Sequence, residues 1–262
     1  MYQNKVIACI IPARDEAKAI QPVIHGLQAL RDSHDNPVID DILVCDNGST
    51  DDTANIALEA NARVISQPQP GYGIACLTAL SNVKNADILL FIDGDNAFCA
   101  TQSIPLIHAI ANDTDLAIGS RTLGHMESGA LTLPQRFGNQ LASVLIRWLW
   151  SKTVTDLGPF RAISQNALQQ LAMEDERYGW TIEMQIKAIQ QGMSIEEHAV
   201  DTFCRLGHSK ISGTLKGTIG AGIGILSMII KLRWRQFRQP TDYRLPQKHY
   251  TPRTSLTVGG KQ

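Results

Sequence analysis

Three patterns common among intracellular enzymes are missing from this sequence. No C-x-x-C pair occurs: Cys9, Cys45, Cys76, Cys99 and Cys204 are odd in number, scattered and set mostly among apolar residues. That excludes a zinc ribbon and a disulfide framework and predicts reduced thiols in a cytosolic core. No G-x-G-x-x-G follows the first apolar run, and no phosphate-loop lysine motif appears, so the ordinary dinucleotide and nucleoside-triphosphate cradles are disfavoured. Long apolar runs are missing too. "GTIGAGIGILSMII" (217–230) is uncharged, but it is short and interrupted by glycines, which argues against a bilayer-crossing helix.

Net charge is equally scarce, at −1 over 262 residues, which gives no reason to expect a nucleic-acid partner. Its distribution is uneven. From Lys231 to Gln262 eight basic residues face Asp242 alone, so this end carries +7 and the remaining body −8. Such an end suits an anionic membrane surface, or is simply a solvated tail. The opening "MYQNKVIACIIPARDEA" lacks a small-residue cleavage pattern and reads as a first strand, not a signal peptide.

What is present is an alternation of short apolar runs and helical patterns, the signature of βα units and a parallel sheet. Strands are expected at 6–11, 41–45, 62–66, 87–92 and 115–119, with helices near 16–31, 51–60, 73–84 and 103–112. Ser49 or Thr50 is the expected cap of the second helix. The later half is more helical, over 135–150 and 180–192, followed by a strand in "SIEEHAVD". The expected organisation is a catalytic domain over 1–215, an apolar and basic helical segment over 216–239, and an unstructured tail over 240–262, where Pro240, Pro246, Pro252 and Gly259-Gly260 gather.

In an open parallel sheet, ligands bind beyond the carboxyl ends of the strands. Here those ends read "PARDEA", "DNGSTD", "QPQPGYG" and "DGDN", four polar segments in succession. Asp46 and Asp15 or Glu16 offer acceptors to the N–H and hydroxyl groups of a base and ribose. A diphosphate would be repelled by so many carboxylates unless a divalent cation intervened. Asp93 and Asp95, separated by Gly94, are hard oxygen donors suited to Mg²⁺ or Mn²⁺, which would neutralise the charge growing on a departing diphosphate.

Together "IPARDEA", "VCDNGSTDDT", "PGYGIAC", "FIDGDNAF", "GSR" and "LGPFRAI" resemble, in order, the motifs of family 2 glycosyltransferases of the GT-A fold. The resemblance covers about residues 5–215. It implies a Rossmann-like α/β fold with a mainly parallel central sheet flanked by helices, a nucleotide-sugar donor such as a UDP- or GDP-sugar, a divalent metal and inversion at the anomeric carbon. "GPFRAI", "YGWTIEMQIKAIQQG" and "RLGHSK" look most like the branch of dolichyl- and polyprenyl-phosphate sugar transferases. The expected acceptor is therefore a lipid phosphate, with a glycan or soluble hydroxyl as the alternative, and the expected place is the cytoplasm, peripheral on the membrane face.

Carried over by that resemblance, Pro12, Ala13 and Glu16 contact the nucleotide, Asp46 is the second-motif aspartate, and Asp93 and Asp95 serve donor and metal. Arg121 faces a phosphate, and Arg205 and Lys210 face anionic groups of donor or acceptor. Gly71 and Gly73 permit a turn or close approach beside Tyr72. Three positions depart from the family pattern: Asp15 for Asn, Asn47 for the second Asp of "DDGS", and Tyr72 for Lys. Glu183 stands where relatives carry an acidic residue on the acceptor side, either as general base or as a structural group. His208 is a lesser phosphate candidate, and Trp180 is the aromatic retained for an acceptor groove. A sugar-nucleotide pyrophosphorylase would need a basic Gly-rich loop after strand one, which "IPARDEA" does not supply. A silent binding protein would not need the "DGD" to be intact.

Overall fold

The computed structural model describes residues 1–206 and 215–238, with the backbone alone for 215–219 and 221. Its centre is a seven-stranded sheet. The first half builds it from consecutive βα units: β1 (Ile7–Ala13), α1 (Ile20–Gln28), β2 (Asp41–Asp46), α2 (Thr53–Glu59), β3 (Arg63–Ser66), α3 (Tyr72–Leu80), β4 (Ile88–Phe91), α4 (Ser103–Ala111) and β5 (Leu116–Ser120). The second half adds α5 (Leu133–Trp150), β6 (Arg161–Ser164), α6 (Gln165–Leu171), α7 (Trp180–Gln190), β7 (Ile195–Ala199) and α8 (Leu215–Arg238). The strand order is β3-β2-β1-β4-β6-β5-β7. β6 runs antiparallel to both neighbours and every other pairing is parallel.

The expected strands each form within a residue or two of their apolar runs. The runs are continuous because both faces are covered: β1 sends Ala8 and Ile10 into one core and Ile7, Cys9 and Ile11 into the other. Leu43 and Cys45 of β2, and Leu89 and Phe91 of β4, join the first core, which α3, α5, α7 and α8 close. Ile42, Val44, Ile88 and Leu90 face α1, α2 and α4. Cys9, Cys45 and Cys76 are buried as expected, whereas Cys99 is half-buried and Cys204 exposed.

Two local readings are corrected. β6 and α6 were not anticipated. Ser49 and Thr50 do not cap α2, whose N-cap is Asp52 without a side-chain bond; instead, Ser49 Oγ accepts the Asp15 N–H and Asp15 Oδ1 accepts the Thr50 N–H, lacing the first two strand ends together. The helical segment expected over 216–239 is seen as α8, which runs through the glycines of 217–230 to Arg238 and is anchored by Met228, Ile229 and Leu232. The expected tail, 240–262, lies outside the described residues. Among the described residues no helix is long and apolar enough to cross a membrane.

Candidate active site

The four parallel strand ends do converge. They wall a cleft of about 480 Å³ with Pro12, Ala13, Arg14 and Glu16 from β1, Asn47 from β2, Gln69 to Tyr72 from the loop into α3, and Asp93, Gly94 and Asp95 from β4. Arg177, Tyr178 and Arg205 close it from the second half of the chain. The strands bring Pro12 beside Cys45, Ala13 beside Asp46, and Asp46 beside Ser66, so residues far apart in sequence end at one level.

At the floor lie the two aspartates. Asp95 is buried; its Oδ1 accepts the Ala97 N–H at 3.1 Å, and Arg205 Nη1 lies 3.2 Å from its Oδ2. Tyr72 donates its hydroxyl to Asp93 Oδ1 at 3.1 Å. A tyrosine bonds without adding positive charge where a lysine would supply it. Burial, then the neighbouring Asp95, push the Asp93 carboxyl up to about 7, against the opposing pull of Arg205, Tyr72 and Arg121. A guanidinium already on one carboxylate, and a second carboxylate held far from its ordinary range, mark a place short of positive charge. Two carboxylate groups suit a divalent cation that would take its remaining ligands from diphosphate and water; among the described residues no cluster of three or more metal-binding side chains is found, here or elsewhere.

Asn47, a departure from the family pattern, has a structural reason. Its Nδ2 donates to the carbonyls of Gln67 at 2.9 Å and Gln69 at 2.7 Å, while its Oδ1 accepts the Gly71 N–H at 2.8 Å. An aspartate could make only the third bond and would face two carbonyl oxygens with a charge. Asn47→Asp is therefore expected to cost about 2–4 kcal/mol and to weaken nucleotide binding by loosening the cleft wall. Thermal melts and nucleotide titration of the variant check this; an unchanged melting temperature would refute it.

The same wall is held from the other side. Backbone N–H groups of Gly73 and Ile74 donate to the carbonyls of Arg177 and Glu176 at 3.0 and 2.9 Å. The approach is so close that a Cβ on Gly73 would lie 1.9 Å from the Asp175 carbonyl oxygen, and one on Gly71 2.3 Å from that of Glu176. Only glycine fits either position. Glu183 anchors this loop. It is 1% exposed, accepts the N–H groups of Glu174 and Asp175, and pairs with Lys187 at 2.8 Å. Of its two sequence readings the geometry favours the structural one, since Glu183 is committed to this loop and does not line the cleft.

Other expected residues lie outside the cleft lining. Asp15 is bound to Thr50, and Asp46, at the end of β2, accepts the Ser49 N–H at 3.3 Å. Trp180 packs in the core against Phe91, with ring centroids 6.1 Å apart, and does not form a groove. Lys210 and His208 lie outside the described residues. Arg121 gives Nε and Nη2 to the buried Asp156 at 2.8 and 2.7 Å, and Glu197 in turn accepts the Thr155 and Asp156 N–H groups. Arg121 is nevertheless within electrostatic reach of Asp93. It lines a second cavity, of about 520 Å³, together with Arg136 and Arg147 of α5. Sequence reasoning missed this cavity. Its signal was the set of basic residues along α5, a helix with no acidic residue.

Comparison with known proteins follows the same outline. A model of the family described as glycosyl transferase family 2 matches residues 8–172. An uncharacterized glycosyltransferase of Mycobacterium bovis is 29% identical over 216 residues, covering 81% of this chain and 93% of that one. The UDP-N-acetylglucosamine–dolichyl-phosphate N-acetylglucosaminyltransferase of Methanococcus voltae is 29% identical over 223 residues, 76% of this chain and 86% of its own. Among solved structures, glucosyl-3-phosphoglycerate synthase of Mycobacterium tuberculosis with Mn²⁺, UDP and phosphoglyceric acid superposes with a TM-score of 0.71 at 22% identity, over 88% of this chain and 79% of the other. The same enzyme with Mg²⁺ and UDP gives 0.68 at 22% identity, over 87% and 79%. That likeness fixes the fold, which is GT-A.

Proposed function

Since the chain belongs to glycosyl transferase family 2 and is thereby a glycosyltransferase using a nucleotide sugar, we propose that it moves a sugar, with inversion, from a nucleotide-diphosphate donor to the phosphate of a polyprenyl phosphate. The donor occupies the 480 Å³ cleft, its base and ribose towards Pro12, Ala13, Glu16 and Gly71, with Asp15 and Asp46 ordering that rim. Asp93 and Asp95 hold Mg²⁺ or Mn²⁺, which when bound neutralises charge on the leaving diphosphate. The printed names of the similar structures, with UDP and either Mn²⁺ or Mg²⁺, support that choice. Arg205, on Asp95, is placed to turn to the donor's phosphates as they arrive.

The acceptor reading rests on one observation: Arg121, whose charge is felt at Asp93, also lines the cavity that holds Arg136 and Arg147. The Arg136 and Arg147 guanidinium groups, with Arg121 held by Asp156 on the same wall, suit a phosphate. This moves the acceptor phosphate from Arg205 and Lys210, where sequence placed it, to the three arginines. An acceptor phosphate is already ionised, so its oxygen attacks the anomeric carbon without a general base as the carbon–diphosphate bond breaks. The commitment of Glu183 to backbone groups fits such a nucleophile. The name of the Methanococcus relative, a dolichyl-phosphate transferase, supports the class.

The test is a screen of nucleotide diphosphates and their sugars by thermal shift with Mn²⁺, then transfer to a prenyl phosphate. Arg136→Ala and Arg147→Ala together are expected to raise KM for the prenyl phosphate about tenfold or more while leaving nucleotide affinity unchanged. Efficient transfer to a soluble hydroxyl or phosphoglycerate, with none to prenyl phosphate, overturns the acceptor assignment. Proton and cation also compete at Asp93. Because its carboxyl is raised to about 7, Mn²⁺ affinity is expected to fall as pH drops through that value and to level off above it. Calorimetric Mn²⁺ titrations below and above that pH check the sign; a pH-independent affinity would contradict it.

A further inference from the structure

Two helices carry apolar stripes on the side away from the core. On α5, Leu133, Phe137, Val144 and Trp148 are 57–78% exposed among the described residues and fall within about 60° around the helix. They lie opposite Ala142 and Ile146, which face the core. On α8, Ile223, Leu226, Ile230, Trp234 and Phe237 are exposed and fall within about 80°, opposite the buried Met228, Ile229 and Leu232. The helices touch: Trp150 Nε1 donates to Gln236 Oε1 at 2.8 Å, and the Arg233 guanidinium lies 5.8 Å from the Trp150 ring. Two stripes, each turned from a shared core, lie on neighbouring helices.

We propose that the two stripes form one face that docks on an anionic lipid bilayer. Exposed aromatic and aliphatic residues in this number mark an interaction surface, since stray apolar side chains on a soluble face are normally scattered singly. Charge selects the occupant. Neither α5 nor α8 contains Asp or Glu, whereas Arg136, Arg147, Arg233 and Arg238 project beside the stripes, while Lys231 and Arg235 turn to Glu174. A second copy meeting this face about a two-fold axis would bring like charges together, while anionic headgroups complement them. Arg238 over Trp234, at 3.7 Å, and Arg233 over Phe237, at 4.5 Å, pair a cation with a ring as residues at a headgroup boundary do. The face also continues into the arginine cavity, because Val144 belongs to both. Docking thus rests in part on the lipid-phosphate reading, for it places the cavity mouth at the headgroups from which such an acceptor would rise.

The test uses the full chain and phosphatidylcholine vesicles with and without phosphatidylglycerol. Binding is expected only to the anionic vesicles, weakening with salt. Phe137→Ser with Trp148→Ser, and Trp234→Ser with Phe237→Ser, should each lower vesicle affinity at least about tenfold with unchanged circular dichroism. Brominated lipid chains should quench tryptophan emission less in Trp148→Phe and in Trp234→Phe than in the parent protein. Undiminished binding by the α5 pair overturns the two-helix face. So does a concentration-dependent dimer, dissolved by Trp148→Ser, in a protein that ignores vesicles. Transfer to a short, water-soluble prenyl phosphate separates the two readings: both double variants should retain it, and vesicle binding by a protein that glycosylates no prenyl phosphate supports docking while removing the acceptor assignment.

Discussion

Asp95→Asn is expected to lower kcat about a thousandfold or more and to abolish metal-dependent nucleotide binding, in a protein that still folds. The substitution keeps an oxygen for the Ala97 N–H but removes the charge that faces Arg205. EDTA should act on the parent enzyme as the substitution does, and an EDTA-treated enzyme of full activity would sink the metal assignment. Asp93→Asn should be equally inactive yet more stable. A carboxyl whose folded value is raised from 3.8 to about 7 favours the fold below the lower figure and loses that contribution as pH rises through the upper one. Above pH 7 the metal-free protein carries this strain in full, so the asparagine variant should melt higher there, by about 2–4 °C per kcal/mol relieved, and no higher near pH 4. Equal melting temperatures at both pH values would show that Asp93 is not strained.

The second large effect belongs to Glu183. Glu183→Ala leaves two backbone N–H groups without their acceptor and the largely buried Lys187 ammonium with the Ala172 carbonyl alone, a loss of about 3–5 kcal/mol. The loop over α3 would loosen with it, so nucleotide affinity should fall. Glu183→Gln keeps part of the bonding and separates position from chemistry. A general base lost would flatten the acid limb of the pH–rate profile, while a loosened anchor would lower the whole curve and leave its shape. The second outcome is expected, and a changed limb would restore Glu183 to the acceptor side.

Much of the fold could be read because central strands covered on both faces are continuous apolar runs, as in "VIACII" and "DILLFI". β6 escaped because its four residues, "RAIS", begin with an arginine. Arg161 is fully buried there, donating to the carbonyls of Gly158 and Thr181, and burial lowers its guanidinium to about 10. Nothing local announces a buried arginine, since its partners are backbone oxygens. The site divides in the same way. Glu16, Asp93 and Asp95 were legible because strand ends must leave the core together, and Pro12 through the family resemblance; all four line the cleft. The tasks of Asn47, Glu183 and Arg121 were not, because each is set by partners twenty to thirty-five residues away or by the backbone of a loop without a periodic pattern.

The antiparallel strand has a consequence for how the chain comes into being. When residues up to Ser120 have left the ribosome, β3, β2, β1 and β4 can already pair as consecutive units, yet β4 then ends the sheet. Its outer edge, "ILLF", waits for β6, some seventy residues later in the chain. Until then a row of unpaired backbone groups beside fully apolar side chains is a template for any other extended chain. Refolding from denaturant should therefore give a yield that falls as protein concentration rises, whereas the finished protein, with β6 in place, should not aggregate through that edge at the same concentrations.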